Sequence, residues 1–190
     1  LKRGWNKPNL VAYMESHDEE RIMFKNKSYG NLYNEYNVKD LNTGLKRTEA
    51  AAVILLSFPG PKMIWQFGEL GYDYELNNDR LGRKPIKWDY LNVPERKALH
   101  DVYAKMIKLR NESPIFSTSD YTFREEGFYK EISLKSSSGS VCAIANFDVI
   151  KISKTVNFDK TGEWIDYFTG EAINVATNNY TMALNPGEYL

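Results

Sequence analysis

Two textures of hydrophobic spacing divide the chain. Up to residue 113, short apolar runs alternate with longer helical stretches; from Pro114 onward, β-prone runs are brief and broken by turn clusters. Residues 10–14 form an apolar run short enough for a strand buried on both faces, and residues 63–67 form a second. Residues 22–40 are polar and aromatic with no clear period, which predicts a long loop. A helix is expected over residues 45–57. Asp40, Asn42 or Thr43 can cap it, and Phe58-Pro59-Gly60-Pro61 ends it, because proline lacks an N–H and disfavours helical geometry before it. Strand, loop, helix and strand in that order read as a parallel βαβ unit. A further helix begins at Pro94, in a first turn where the missing N–H costs nothing. Leu99, Val102, Met106 and Leu109 give it one apolar stripe.

Beyond it, residues 121–126, 128–134, 141–147, 150–158, 163–167, 172–175 and 180–184 are the β-prone runs. Many short strands at close spacing predict an antiparallel sandwich. The boundary is placed near Ser113, giving one unit of residues 1–113 and a second of residues 114–190.

Composition narrows the function classes. Lys+Arg and Asp+Glu are both 25, and no basic stripe stands out, which argues against a nucleic-acid partner. No apolar run approaches the ~20 residues of a membrane span. The single Cys142, between Val141 and Ala143, reads as a buried small hydrophobe. The first residue is Leu1, not Met, so the chain reads as a piece of something longer and the lack of targeting signals says nothing of compartment.

The candidate chemistry lies where residues 10–14 stop, at a cluster of ionisable side chains. Loops at the carboxyl ends of parallel strands share one crevice, so His17-Asp18 is the first place to look. Taken alone, such a pair is more often a surface hydrogen bond. The second run also ends in an acidic, glycine-framed stretch, Gly68-Glu69-Leu70-Gly71. Arg21 and Glu69 are expected to brace the strand ends, since buried charges are usually paired.

Met14-Glu15-Ser16-His17-Asp18-Glu19-Glu20-Arg21 resembles the motif at the end of the seventh barrel strand in the alpha-amylase family of retaining glycoside hydrolases. Gly60-Pro61-Lys62-Met63-Ile64-Trp65-Gln66-Phe67-Gly68-Glu69-Leu70-Gly71 is similar to that family's eighth strand, although Gly and Pro are adjacent here. Asp79-Arg80-Leu81-Gly82-Arg83, continuing into Lys84-Pro85-Ile86-Lys87-Trp88, is similar to the pattern in the loop that follows. Trp164-Ile165-Asp166-Tyr167-Phe168-Thr169-Gly170-Glu171 and Leu184-Asn185-Pro186-Gly187-Glu188-Tyr189 resemble the all-β domain after the barrel. The four matches fall in sequence order and cover essentially the whole chain.

The resemblance implies an α/β fold: the last quarter of a (β/α)8 TIM barrel, followed by an all-β antiparallel sandwich domain. It implies a parent enzyme that cleaves alpha-glucans, such as starch and maltooligosaccharides, by retaining double displacement. Such enzymes need a nucleophile and an acid/base roughly 5–5.5 Å apart. In the family these follow strands four and five, which have no counterpart here, so the chain alone is expected to be inactive. What carries over is the third carboxylate, onto Asp18, with His17 beside it. Cleavage builds positive charge on the sugar ring, and Asp18 can hold ring hydroxyls and favour distortion without bonding covalently. His17 can donate to the same sugar. Asp79 and Arg83 are implied as a pair that also contacts a sugar further along the glucan, against the plainer reading of a loop salt bridge.

Tyr33, Tyr36 and Tyr72, in loops, are the candidates for stacking on sugar, whereas Trp65 is expected to pack. No cofactor is expected in this segment; calcium in the family lies mostly in the part without counterpart here. Exposed edges of a partial barrel predict self-association. Two other readings stand beside this one: a non-catalytic glucan-binding or structural module, and a catalytically dead amylase-like ectodomain of a transport protein.

Overall fold

The computed structural model describes residue 4, residues 6–75 and residues 82–190. Its first part holds helix α1 (Ile22–Tyr29), a small hairpin of β1 (Leu32–Tyr33) and β2 (Tyr36–Asn37), helix α2 (Leu41–Ser57) and helix α3 (Pro94–Glu112). Its second part is β3 (Tyr121–Glu126), β4 (Tyr129–Ser136), β5 (Gly139–Asn146), β6 (Ile152–Asn157), β7 (Gly162–Ile165), β8 (Ala172–Val175) and β9 (Asn179–Leu184).

The two long helices form where expected. α2 starts at Asp40, whose carboxylate accepts from Asn37 (2.9 Å) and makes no cap bond. Its small side chains Ala50 and Ala52 are fully buried and let α3 approach closely. In α3, Leu99, Val102 and Met106 are buried and Leu109 packs partly beside them. Beyond α2 the chain turns on Pro59, and Arg110 of α3 caps the helix end. The guanidinium donates to the carbonyls of Leu56, Phe58 (2.8 Å) and Gly60 (2.8 Å). Arg110→Met keeps the apolar stem but strands these acceptors; we expect a loss of about 1–3 kcal/mol, read from urea unfolding midpoints.

Residues 22–40 correct the expectation of a long loop. They hold α1 and the β1–β2 hairpin, whose register pairs Leu32 with Asn37 and Tyr33 with Tyr36. α1 buries a single residue, Met23, so no apolar period advertises it. It is held instead by Asn26, which donates to the Gly44 carbonyl of α2 (3.1 Å). Gly44 lies close against its neighbours, where a Cβ would be 2.6 Å from the Met23 methyl and 3.1 Å from the Val38 carbonyl oxygen.

The expected quarter of a barrel is not formed as a sheet. Residues 10–14 and 63–67 give no ladder, only one parallel bridge between Ala12 and Lys62. Ala12 donates to Pro61 (3.0 Å) and accepts from Met63 (3.0 Å). Nor is the first run buried: Leu10, Val11 and Tyr13 are 40%, 55% and 48% exposed. Parallel strands are stable when flanked on both edges and covered on both faces, and among the described residues this run has one neighbour.

The second part is antiparallel throughout. β3, β4 and β5 form one sheet in that order, β6 pairs with β9, and β7 pairs with β8. After β9 the chain turns and residues 188–190 run along β5, with hydrogen bonds between Ile144 and Leu190 in both directions (2.9 and 3.0 Å). Register explains the layering. Ile132, Leu134, Ala143 and Ala145 lie on one face of the β3–β5 sheet and pack against α2 and α3. Tyr129 and Ile144 lie on the other, with Val156, Phe158, Val175 and Leu184 of the remaining strands. The core thus runs through residue 113 without a break, in three layers: helices, sheet, and the paired strands beyond.

Candidate functional site

The stretch from Glu15 to Arg21 is a closed loop clamped at its neck. The Glu15 carboxylate accepts from the backbone N–H of Ile22 (2.8 Å), the first N–H of α1, where a negative charge is favoured. Its other oxygen meets the Arg21 guanidinium (3.4 Å), and both residues are buried. Arg21 also lies over the Tyr72 ring, 5.1 Å from its centroid. Burial raises the Glu15 carboxyl above its ordinary value, only partly offset by Ile22 and Arg21. Nε and Nη2 of Arg21 and Oε2 of Glu20 are buried without a hydrogen-bond partner. Gly68 closes the neck from the second segment, since a Cβ there would lie 2.5 Å from Glu15 Oε1.

This clamp carries His17 and Asp18 at the loop's apex. His17 is exposed, its ring 5.8 Å from that of Trp65. Asp18 is half-buried and accepts from the Ser16 hydroxyl (3.4 Å). Asp79 lies outside the described residues, so the Asp79–Arg83 pair has no described geometry; Arg83 itself is exposed. Of the aromatic candidates, Tyr33 is exposed and Tyr36 half-buried. Tyr72 corrects the expectation: it is 1% exposed and stacked on Phe67, so it is core.

Two features escaped the sequence reading. Phe67 takes left-handed backbone (φ 59°), a strained geometry for a bulky residue, just before the Gly68–Leu70 turn. That turn is tied to α3 by Arg96, which donates to Leu70 (3.0 Å), to Gly71 and to Asp73 (2.9 Å). Trp65, Glu69 and Trp88, with His100, Tyr103 and Ile107 of α3, line an open groove of about 850 Å³. Glu69, expected to brace a strand end, is one of the residues along this groove. Among the described residues no three His, Cys, Asp or Glu side chains come together to hold a metal, and no helix is long and apolar enough to cross a membrane.

This arrangement of helices and antiparallel strands matches a part of the fold of alpha-amylase family enzymes. AmyP, solved with maltose, superposes with a TM-score of 0.72 at 16% identity, over 96% of this chain and 40% of that one. The alpha-amylase of Geobacillus thermoleovorans, solved with acarbose, gives 0.68 at 15% identity, over 95% and 38%. The trehalulose synthase MutB of Pseudomonas mesoacidophila gives 0.62 at 14% identity, over 93% and 41%. The likeness is one of fold, and the chain spans about two fifths of the length of these proteins. No family model and no curated protein matches the sequence.

Proposed function

We propose that the chain is the distal part of an alpha-glucan-cleaving glycoside hydrolase: residues 1–113 the last quarter of its (β/α)8 barrel, and residues 114–190 its sandwich domain. One observation carries this reading. The loop bearing His17 and Asp18 is clamped at the end of a segment bridged in parallel to its neighbour, within a fold shared with proteins solved with maltose and acarbose.

In that role Asp18 accepts hydrogen bonds from the sugar ring and steadies the positive charge that develops there, and His17 donates to the same sugar. Arg83, with Asp79, contacts a sugar further along the glucan. The nucleophile and acid/base belong to the rest of the parent, so this chain alone is expected to release nothing above blank from a chromogenic maltooligosaccharide. Asp18-dependent turnover would overturn that.

Titration with maltoheptaose separates the competing reading. Asp18→Ala should weaken binding by at least about tenfold, the worth of one charge-assisted hydrogen bond. A non-catalytic glucan-binding module would keep its affinity. The bared side chains Leu10, Val11 and Tyr13 lie together on a segment with one bridge partner, so light scattering should report self-association through this apolar stretch. A monomer at all concentrations would overturn that expectation.

A further inference from the structure

A partly open cavity of about 200 Å³ lies between the helical layer and the outer strands, lined by residues of α2, α3, β5 and the β7–β8 hairpin. It sits where the two hydrophobic clusters meet: Val141 belongs to the one packed on the helices, and Cys142 and Trp164 to the one inside the sandwich. Its walls are mainly apolar, among them Met106, Phe158, Trp164, Phe168 and Met182.

The polar side chains on those walls are already engaged. Asp166 accepts from the backbone N–H groups of Phe168 (2.7 Å) and Thr169 (2.8 Å). Ser57 donates to the Val53 carbonyl (2.7 Å), and Ser140 to Asp159 (2.5 Å). Tyr167 donates away from the cavity, to the Lys105 carbonyl (3.3 Å). Burial pushes the Cys142 thiol up to about 12, so it stays neutral.

A water needs two to four polar partners, and the hydroxyl donors on these walls are spent within the chain, leaving it a few acceptors among mainly apolar side chains. Apolar cavities of roughly 150 Å³ stay dry and admit benzene, and this one is somewhat larger. Ile165 and Tyr167, 57% and 44% exposed, stand at its rim and offer a way in.

We propose that this cavity is a binding site for one small, neutral, apolar molecule, a single aromatic ring or a short alkyl chain, which bridges the helical layer and the sandwich. The site is separate from the His17–Asp18 loop and independent of any glucan chemistry there. A ligand bound only by the native state would also raise the unfolding temperature with its concentration.

The test is a ¹⁹F NMR titration of the full chain with fluorobenzene. We expect a saturable shift that benzene displaces and maltoheptaose does not, and its loss in Val141→Phe, where the added ring fills the space. The unmutated chain gives a second readout: its unfolding temperature should rise with benzene concentration and not with maltoheptaose. Should Val141→Phe fail to fold, that rise decides. No saturable shift, full binding in a folded Val141→Phe, displacement by maltoheptaose, or an unfolding temperature untouched by benzene would each overturn the proposal.

Discussion

Replacement of Glu15 by leucine is expected to lower the free energy of unfolding by about 3–5 kcal/mol, because it leaves a buried charge without its partner. The Arg21 side chain is 1% exposed, and two of its nitrogens already lack partners. Removing Glu15 leaves the whole guanidinium in that state, next to the Tyr72 ring. The same change strands the Ile22 N–H at the start of α1. Glu15→Gln keeps a carbonyl oxygen for that N–H and removes a charge whose burial is unfavourable, so it is expected to cost far less than the leucine variant.

The pH dependence gives a second handle on the same clamp. Burial raises the folded-state pKa of Glu15 above its unfolded value near 4.5, so the native chain holds this proton more tightly. Its contribution is fully present below that unfolded value and is lost as pH rises through the raised one. Stability of the unmutated chain should therefore decline across that window, and Glu15→Gln should remove this part of the slope. Urea unfolding at a series of pH values reads both effects. A leucine variant that loses under about 1 kcal/mol, the worth of a surface pair, would mean that Arg21 finds another acceptor.

The clamp shows where sequence patterning stops being informative. Leu99, Val102 and Met106 declare α3 because their burial follows from helical spacing alone, and the short β-prone runs of β4 and β5, split by a serine-glycine turn, do the same for the sheet. A run such as Glu15 to Arg21 looks like a solvated surface. Its burial is decided by Gly68 and Tyr72, about fifty residues away, which no local period can register. α1 was invisible for a related reason: one buried side chain and one amide-to-carbonyl bond to α2 hold it.

Residues 10–14 failed in the opposite direction. Their composition is that of a buried strand, but burial depends on neighbours that the described chain does not supply, so Val11 and Tyr13 lie open. The motif resemblance located the His17–Asp18 loop where spacing alone could not rank it above any other charged pair. It gave no sign of Arg96, because an arginine in the first turns of a helix reads as an exposed cation.

Arg96→Ala is expected to cost about 3–5 kcal/mol, since it too breaks a buried charged network. The guanidinium is 5% exposed, donates to two carbonyls of the Gly68–Leu70 turn region and to Asp73, and lies 3.7 Å from the centroid of the Tyr90 ring. Arg96→Lys should recover little, because an ammonium cannot present a planar fork to three acceptors while stacking on a ring. Burial alone would raise the Asp73 carboxyl, but hydrogen bonds from Lys27 and Tyr90 and the charges of Arg96 and Lys27 hold it below its ordinary value. That depression contributes stability present above the unfolded value near 3.8 and lost as pH falls through the folded one. The variant, with less depression to lose, should have a shallower acid limb, and the gap between it and the unmutated chain should narrow down to the pH at which the folded Asp73 carboxyl is protonated. A gap that stayed constant down to that pH would assign the loss to the Leu70 and Gly71 carbonyls; a full recovery would assign it to Asp73, and the turn that carries Glu69 would then be held mainly by charge.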